Sequence, residues 1–326
     1  MSVDLIQALL LAFAVVVILM PAYIRLLRFI GMGKQIQGEL PETHQVKAGV
    51  PTMGGLLLIA VVLVLFVLLR GFPQFGIIAP LATLLLVGAL GAVDDYLNAK
   101  TGEGIHARQK MLWLVVVGVV AAFQIQRTYA IDVIAVPFVG SVAVSPAIYI
   151  AIAAFAIIAS ANGVNITDGL DGLAGGTLVF AFVAYLLIAL LNEPTQPSLA
   201  SLCALIIGAL LGFLWFNVHP AQVIMGDSGS LALGATLAVT ALITGQILVL
   251  PFIGLVFVIE TSSVVLQVVY FKFTHGKRIF RMSPIHLHYQ LLGWDEEKIT
   301  LRFWIVGIIS GLIGVTLFLA SINRLQ

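Results

Sequence analysis

The chain carries two adjacent carboxylates, Asp94 and Asp95, at the end of an apolar run. Two neighbouring carboxylates repel each other unless a cation or a proton lies between them. Acids at the C-terminus of a helix also oppose the helix dipole, so a merely solvated helix end is the weaker interpretation. Hard divalent cations take oxygen ligands. The pair therefore predicts a Mg²⁺ site or a site for phosphate chemistry.

The densest group of polar residues is the segment NGVNITDGLDG, which lies between two apolar runs. Asp168 and Asp171 are three residues apart and would share one face of a helical turn. A glycine turn with a helix cap accounts for one acid, but not for two acids and two amides. We therefore expect a ligand to be bound by Asn162, Asn165, Asp168 and Asp171.

Two further segments contain side chains that suit an anion or a metal ion. The segment MGDSGS places Asp227 among glycines, which allow a phosphate or metal to approach the backbone closely. The segment PIHLHY contains an HxH pair, His286 and His288. This spacing also occurs in zinc sites, but no cysteine lies nearby and the acids suit Mg²⁺ better. An extended segment would put both histidines on one face, whereas a helical one would separate them.

Lys47 is a candidate contact for the same anion. It lies just before Pro51 and the glycine pair Gly54-Gly55, a pattern typical of a helix start that a ligand can approach. A lysine in this position also fits the basic belt at a membrane surface, and the two interpretations have equal weight.

The composition indicates an all-α integral membrane protein. Of the 326 residues, 61% are hydrophobic and 10% are charged, and the mean hydropathy is +1.13, whereas soluble domains carry about 25% charged residues. A formal charge of +1 excludes a nucleic-acid binder with a basic face. The single cysteine, Cys203, excludes a disulfide scaffold and is expected to be buried.

About ten apolar runs are long enough to cross a membrane core of about 30 Å. Their predicted limits are 5–28, 52–69, 75–93, 110–123, 146–160, 172–191, 198–216, 231–249, 252–271 and 301–320. Residues 124–145 alternate in polarity and contain Pro137 and Gly140, which predicts a small β-hairpin in a loop. We expect a single transmembrane domain over residues 1–326.

The basic residues predict the orientation of these helices. The loops after the odd-numbered runs contain 13 of the 16 Lys and Arg residues, and such loops face the cytoplasm. Both termini are therefore expected outside, with the hairpin in an outer loop. All six histidines and the acids at positions 94, 95, 168, 171 and 227 then lie on the cytoplasmic side, where we expect the active site.

Carboxylates, amides, histidines and lysines from five loops suit Mg²⁺-assisted phosphoryl chemistry. The chain has no Walker A motif, which disfavours ATP hydrolysis. A transporter is the competing class, because transporters place acids near the middle of the bilayer. Glu260 is the one acid predicted within a span, so transport is disfavoured.

Several segments resemble the phospho-N-acetylmuramoyl-pentapeptide transferase family, a branch of the polyprenyl-phosphate N-acetylhexosamine-1-phosphate transferase superfamily. They are HQVKAGVPTMGG, AVDDY, NGVNITDGLDGLAGG, MGDSGSL, ETSSVVLQV, MSPIHLHYQLLGW and RFWI. The DD pair and the Asn/Asp-rich loop are shared by the superfamily. The PTMGG, PIHxHY and GW…RFWI segments look like the muramoyl-pentapeptide branch.

The resemblance implies a homodimer of ten-span chains in the bacterial cytoplasmic (inner) membrane. It also implies Mg²⁺-dependent transfer of phospho-MurNAc-pentapeptide from UDP-MurNAc-pentapeptide to undecaprenyl phosphate. The products would be UMP and lipid I, a precursor of the peptidoglycan that cell shape and division require. Direct attack by the acceptor phosphate and a two-step route through a phosphorylated Asp both remain open.

The resemblance also implies roles for individual residues. Asp227 looks like the Mg²⁺ ligand, and Asp94 looks like the base or a phosphate-positioning carboxylate. The implied catalytic residues are Asp94, Asp95, Asp227, His286 and His288. The implied substrate contacts are Lys47, Lys110, Asn162, Asn165, Asp168 and Asp171.

Three positions depart from the family pattern. Leu287 replaces the middle residue of a three-histidine motif, of which His286 and His288 match the outer members. Asn98 stands where a basic residue often follows the DD pair, and Lys100 could take its place. Ile224 replaces an aromatic residue that often stacks on uracil. A role that needs three histidines is therefore not expected, and an aromatic residue at position 224 is not available to stack on uracil.

Overall fold

The computed structural model describes residues 3–33, 49–71 and 75–322. The helices are α1 (Val3–Phe29), α2 (Gly54–Arg70), α3 (Ile78–Thr101), α4 (Ala107–Tyr129), α5 (Pro146–Thr167), α6 (Leu173–Leu191), α7 (Pro197–Asn217), α8 (Gly226–Ile243), α9 (Leu250–Ile253), α10 (Leu255–Phe273), α11 (Ile285–Gln290) and α12 (Glu296–Ile322). The strands are β1 (Val133–Val136) and β2 (Gly140–Ala143), which pair antiparallel. Lys47, a predicted substrate contact, lies outside the described residues.

The described ranges contain nine helices that are long and apolar enough to cross a membrane. They are α1, α3 to α8, α10 and α12. Helix α2, with 17 residues, is a shorter apolar helix. The prediction of an all-α, multi-pass membrane protein with a small hairpin is confirmed.

The helices form an inner and an outer group. Most residues of α6, α7 and α8 are buried inside the protein, whereas α1, α10 and α12 expose most of theirs. Helix α8 packs against α3 and α5, and α7 packs against α1 and α6. Because lipid is as apolar as these side chains, close packing rather than exclusion from water holds such helices together. The packing against α3 and α5 therefore fixes the position of the central helix α8.

Several predicted boundaries were wrong by several residues, and two of them have a clear structural reason. Residues 124–129 continue α4, so the hairpin is limited to 133–143. The reason is a buried stripe with helical spacing on α4, formed by Leu114, Val117, Ala121 and Ile125. Helix α8 begins at Gly226 rather than 231, because a carboxylate from another helix caps its first turn.

Candidate active site

Asp95 caps the N-terminus of α8 from the neighbouring helix α3. Its Oδ1 accepts a hydrogen bond from the backbone N–H of Asp227, and its Oδ2 accepts one from Ser228, both at 3.0 Å. A carboxylate at this end of a helix satisfies orphan N–H groups and complements the helix dipole. The buried Asp95 therefore holds Asp227 in place.

Asp94 and Asp227 are joined by the ammonium group of Lys110. Lys110 Nζ lies 3.0 Å from Asp94 Oδ2 and also donates to Asp227 Oδ2. Asp94 Oδ1 accepts a hydrogen bond from the backbone N–H of Ile105 at 2.6 Å. A cation does lie between two carboxylates, as electrostatics requires. The bridged carboxylates are, however, Asp94 and Asp227 rather than the adjacent pair in the sequence.

Asn165 brings the end of α5 to the same place. Its Nδ2 donates to Asp227 Oδ1 at 2.8 Å and to Ser230 Oγ at 2.9 Å. Asp227 is therefore held by a lysine from α4 and an amide from α5. The side chains of four helices, α3, α4, α5 and α8, converge on one point.

A polar cavity of about 170 Å³ opens beside Asp227. Ligand pockets for whole molecules commonly measure about 300–1,000 Å³, so this cavity fits a part of a substrate such as a phosphate group. Two of the positions that depart from the family pattern, Asn98 and Ile224, lie on its wall. The other lining residues are Gly33, Thr52, Asp95, Ala99, Asn165, Asp168, Gly226 and Asp227.

Two of the predicted substrate contacts in the 162–171 segment do not line this cavity. Asn162 Nδ2 donates to the carbonyl of Ile158 one turn back along its own helix, at 2.8 Å. Asp171 Oδ2 accepts a hydrogen bond from the backbone N–H of Ala221 at 3.0 Å and lies 2.9 Å from His219 Nδ1. Of the four predicted ligand contacts in this segment, Asn165 and Asp168 line the cavity, and Asn162 and Asp171 do not.

The HxH pair lies in the short helix α11, so the alternative of an extended segment is wrong. His286 is buried, and its Nδ1 lies 2.9 Å from Glu260 Oε2 in α10. Its ring packs against Gly169, where a Cβ would overlap the imidazole. His288 instead accepts a hydrogen bond from the backbone N–H of Arg281 at 3.1 Å. The two histidines therefore have different environments, and the buried Leu287 lies between them.

Helix α10 provides Glu260, the partner of His286, and a second buried polar residue, Gln267. Glu260 and Gln267 are buried on the same side of this largely exposed helix. Gln267 Oε1 accepts hydrogen bonds from the backbone N–H groups of Ile279 and Phe280, at 3.1 and 3.0 Å. The sequence could have predicted that Glu260 and Gln267 lie on one face of the helix, because they are seven residues apart, which is about two helical turns. Glu260, the acid predicted within a span, is thus buried and paired with a histidine.

The oxygen donors around Asp227 fit a hard divalent cation. Carboxylate and amide oxygens are ligands that Mg²⁺ accepts, and the ammonium of Lys110 already places a positive charge between Asp94 and Asp227. Elsewhere in the described part of the chain, one group of three has its ligand atoms within 4.8 Å of one another. It consists of Asp171, His219 and Glu296, and its histidine and glutamate were missed in the sequence.

Comparison with known proteins identifies the family of this site. The sequence profile described as glycosyl transferase family 4 matches residues 77–245. That range contains Asp94, Asp95, Lys110, Asn165 and Asp227, which meet beside the cavity.

Three curated relatives carry the name phospho-N-acetylmuramoyl-pentapeptide-transferase. The protein of Chloroflexus aurantiacus is 41% identical over 97% of this chain and 90% of its own length. That of Desulfotalea psychrophila is 42% identical over 93% and 89%. That of a Geobacillus species is 40% identical over 95% and 97%. The chain therefore belongs to the phospho-N-acetylmuramoyl-pentapeptide-transferase family, as the sequence segments indicated.

Proposed function

We propose that this chain transfers phospho-MurNAc-pentapeptide from UDP-MurNAc-pentapeptide to undecaprenyl phosphate and forms lipid I and UMP. Its family membership supports this reaction. The observation that carries the proposal is the bridge from Asp94 through Lys110 to Asp227 beside a phosphate-sized cavity. This site lies at the ends of membrane helices, where a water-soluble donor can meet a lipid acceptor.

The site must overcome the repulsion between two phosphate-bearing substrates. Lys110 supplies a positive charge there, and Asp227 is the proposed ligand for Mg²⁺, which would add further charge to stabilise the leaving UMP. Asn165 keeps the Asp227 carboxylate oriented through its hydrogen bond. Asp168, on the cavity wall, is proposed to belong to the loop that binds the nucleotide and the diphosphate.

Asp94 is proposed to position the acceptor phosphate rather than to deprotonate it. The second pKa of a phosphate monoester is about 6, so much of the acceptor is already ionised at neutral pH. Both oxygens of Asp94 also accept hydrogen bonds, from Ile105 and Lys110. We propose direct attack of the acceptor phosphate on the donor, and the competing route runs through a covalent phospho-aspartate.

The remaining assignments follow from the same proposal. Catalytic support is assigned to Asp95, through α8, and to His286 and His288. Substrate contacts are assigned to Lys47, Asn162 and Asp171. We further propose a homodimer in the bacterial inner membrane with both termini outside and the site facing the cytoplasm.

The test is a comparison of sugar donors with the purified chain, undecaprenyl phosphate and Mg²⁺. UMP release is expected from UDP-MurNAc-pentapeptide and not from UDP-GlcNAc. Chelation of the metal with EDTA is expected to stop the reaction, and added Mg²⁺ to restore it. A clear preference for UDP-GlcNAc would instead assign the chain to a neighbouring branch of the superfamily.

A further inference from the structure

Three side chains of α12 bind the backbone of the polar loop Asp168–Gly172. Glu296 Oε1 accepts a hydrogen bond from the N–H of Asp171 at 2.6 Å. Thr300 Oγ1 donates to the carbonyl of Asp171, and Trp304 Nε1 donates to that of Gly172, both at 3.1 Å. A spacing of four residues places the three side chains on one face of the helix.

This face is the polar inner side of an otherwise apolar, mostly exposed helix. Glu296 and Thr300 are each only 7% exposed. The indole of Trp304 lies against Gly176, where any Cβ would overlap the ring. Buried polar groups are costly unless they are hydrogen-bonded. The three side chains are thus matched to three particular backbone groups of the loop.

Side chains of two other helices bind the loop at Gly172, where the backbone turns. Gly172 has a φ of 74° and precedes the first turn of α6. Its N–H donates to Asn217 Oδ1 at 3.0 Å, and its carbonyl accepts from Trp304. Because ordering a backbone costs conformational entropy, a loop tied by other helices binds a ligand without having to be ordered first.

The same contacts connect the loop to the candidate active site. The side chain of Asp171 accepts from the backbone of Ala221, in the segment that leads into α8 and Asp227. Asp168, three residues earlier, lies on the cavity wall. A shift of the loop would therefore move Asp168 relative to Asp227.

We propose that Glu296, Thr300 and Trp304 are positioning residues that hold the polar loop ready for the nucleotide-diphosphate donor. They set the affinity for that donor and leave the binding of the lipid acceptor unchanged. This inference rests on the proposed function, because the loop is taken as the donor site. The carboxylates of Asp171 and Glu296 already accept backbone N–H groups, so anchoring accounts for the cluster with His219 without a metal ion.

Two variants remove one hydrogen-bond donor each, Thr300→Val and Trp304→Phe. Thr300→Val keeps the side-chain shape, whereas Trp304→Phe also removes part of the ring that lies against Gly176. Matched controls are Thr316→Val, since Thr316 Oγ1 donates to Leu312 O within α12 itself, and Trp215→Phe, since Trp215 is 70% exposed. Glu296→Gln keeps an acceptor oxygen for the N–H of Asp171, whereas Glu296→Ala removes it.

Steady-state kinetics would be measured with each substrate varied, together with equilibrium binding of UDP-MurNAc-pentapeptide without the acceptor. Thr300→Val and Trp304→Phe are each expected to raise the donor KM and Kd roughly fivefold, the effect of one lost hydrogen bond. The acceptor KM should stay within about twofold, and the controls should match the parent chain. Glu296→Gln should raise the donor Kd less than Glu296→Ala.

The outcomes separate this inference from the proposed function. If the parent chain does not use UDP-MurNAc-pentapeptide, the function itself fails. If the parent is active but both α12 variants keep the donor Kd, or raise both substrate KM values equally, the positioning role is wrong. Should Trp304→Phe fail to fold, Thr300→Val against Thr316→Val decides the question.

Discussion

Lys110 is the residue of the candidate active site that pairs with two carboxylates. It is the cation between Asp94 and Asp227, whose carboxylates would otherwise repel each other in a partly buried place. The sequence indicated a need for a cation near the carboxylates, and the resemblance indicated a substrate contact at Lys110. Neither could show that one ammonium group serves both carboxylates, because Lys110 and Asp227 are 117 residues apart.

Removing the charge of Lys110 should therefore impair the reaction strongly. Lys110→Gln is expected to lower kcat at least tenfold, which corresponds to about 1.4 kcal/mol of barrier. The control is Lys272→Gln, at the exposed end of α10. UMP release at saturating substrates would measure the effect, and a kcat within twofold of the parent would refute the role of Lys110.

The helices show which features are local in the sequence and which are not. Apolar runs were enough to predict the membrane helices, because their composition alone excludes water-exposed loops. The start of α8 was not predictable, since its cap, Asp95, comes from another helix. The environment of the HxH segment was not predictable either, because the partner of His286 is Glu260 in another helix, α10. What the sequence could not supply was therefore contact between distant segments.

The approach of α3 to α8 gives a prediction at this scale. A Cβ on Gly91 would overlap the backbone of Asp227, whereas the nearest atom to a Cβ on Gly118 lies 3.5 Å away. Alanine normally stabilises a helix relative to glycine by about 1 kcal/mol. We expect Gly118→Ala to be neutral or stabilising and Gly91→Ala to be inactive or unstable. Thermal unfolding and UMP release would test both, and an active, stable Gly91→Ala would contradict the packing.

The whole molecule has a predicted direction in the membrane. The excess of Lys and Arg in alternate loops predicts the hairpin outside and the 274–284 segment in the cytoplasm. Both Ser141 and Lys277 are exposed, and Cys203, the natural cysteine, is buried. These positions therefore suit labelling with a thiol reagent that does not cross membranes.

In intact cells such a reagent is expected to label Ser141→Cys and not Lys277→Cys. In inverted inner-membrane vesicles the pattern should be reversed. Labelling of Lys277→Cys from outside the cell would overturn the orientation and place the candidate active site on the wrong side for a cytoplasmic donor.

The carboxylate of Asp227 is where the account can be tested most directly, because Asn165, Lys110 and the proposed Mg²⁺ all meet there. The measurement is UMP release from UDP-MurNAc-pentapeptide and undecaprenyl phosphate by purified Asp227→Ala, beside Asp132→Ala, an exposed residue just before β1, as control. The account predicts that detergent-solubilised Asp227→Ala folds like the parent but releases no UMP, while Asp132→Ala stays active. Substantial Mg²⁺-dependent UMP release by a well-folded Asp227→Ala would contradict it.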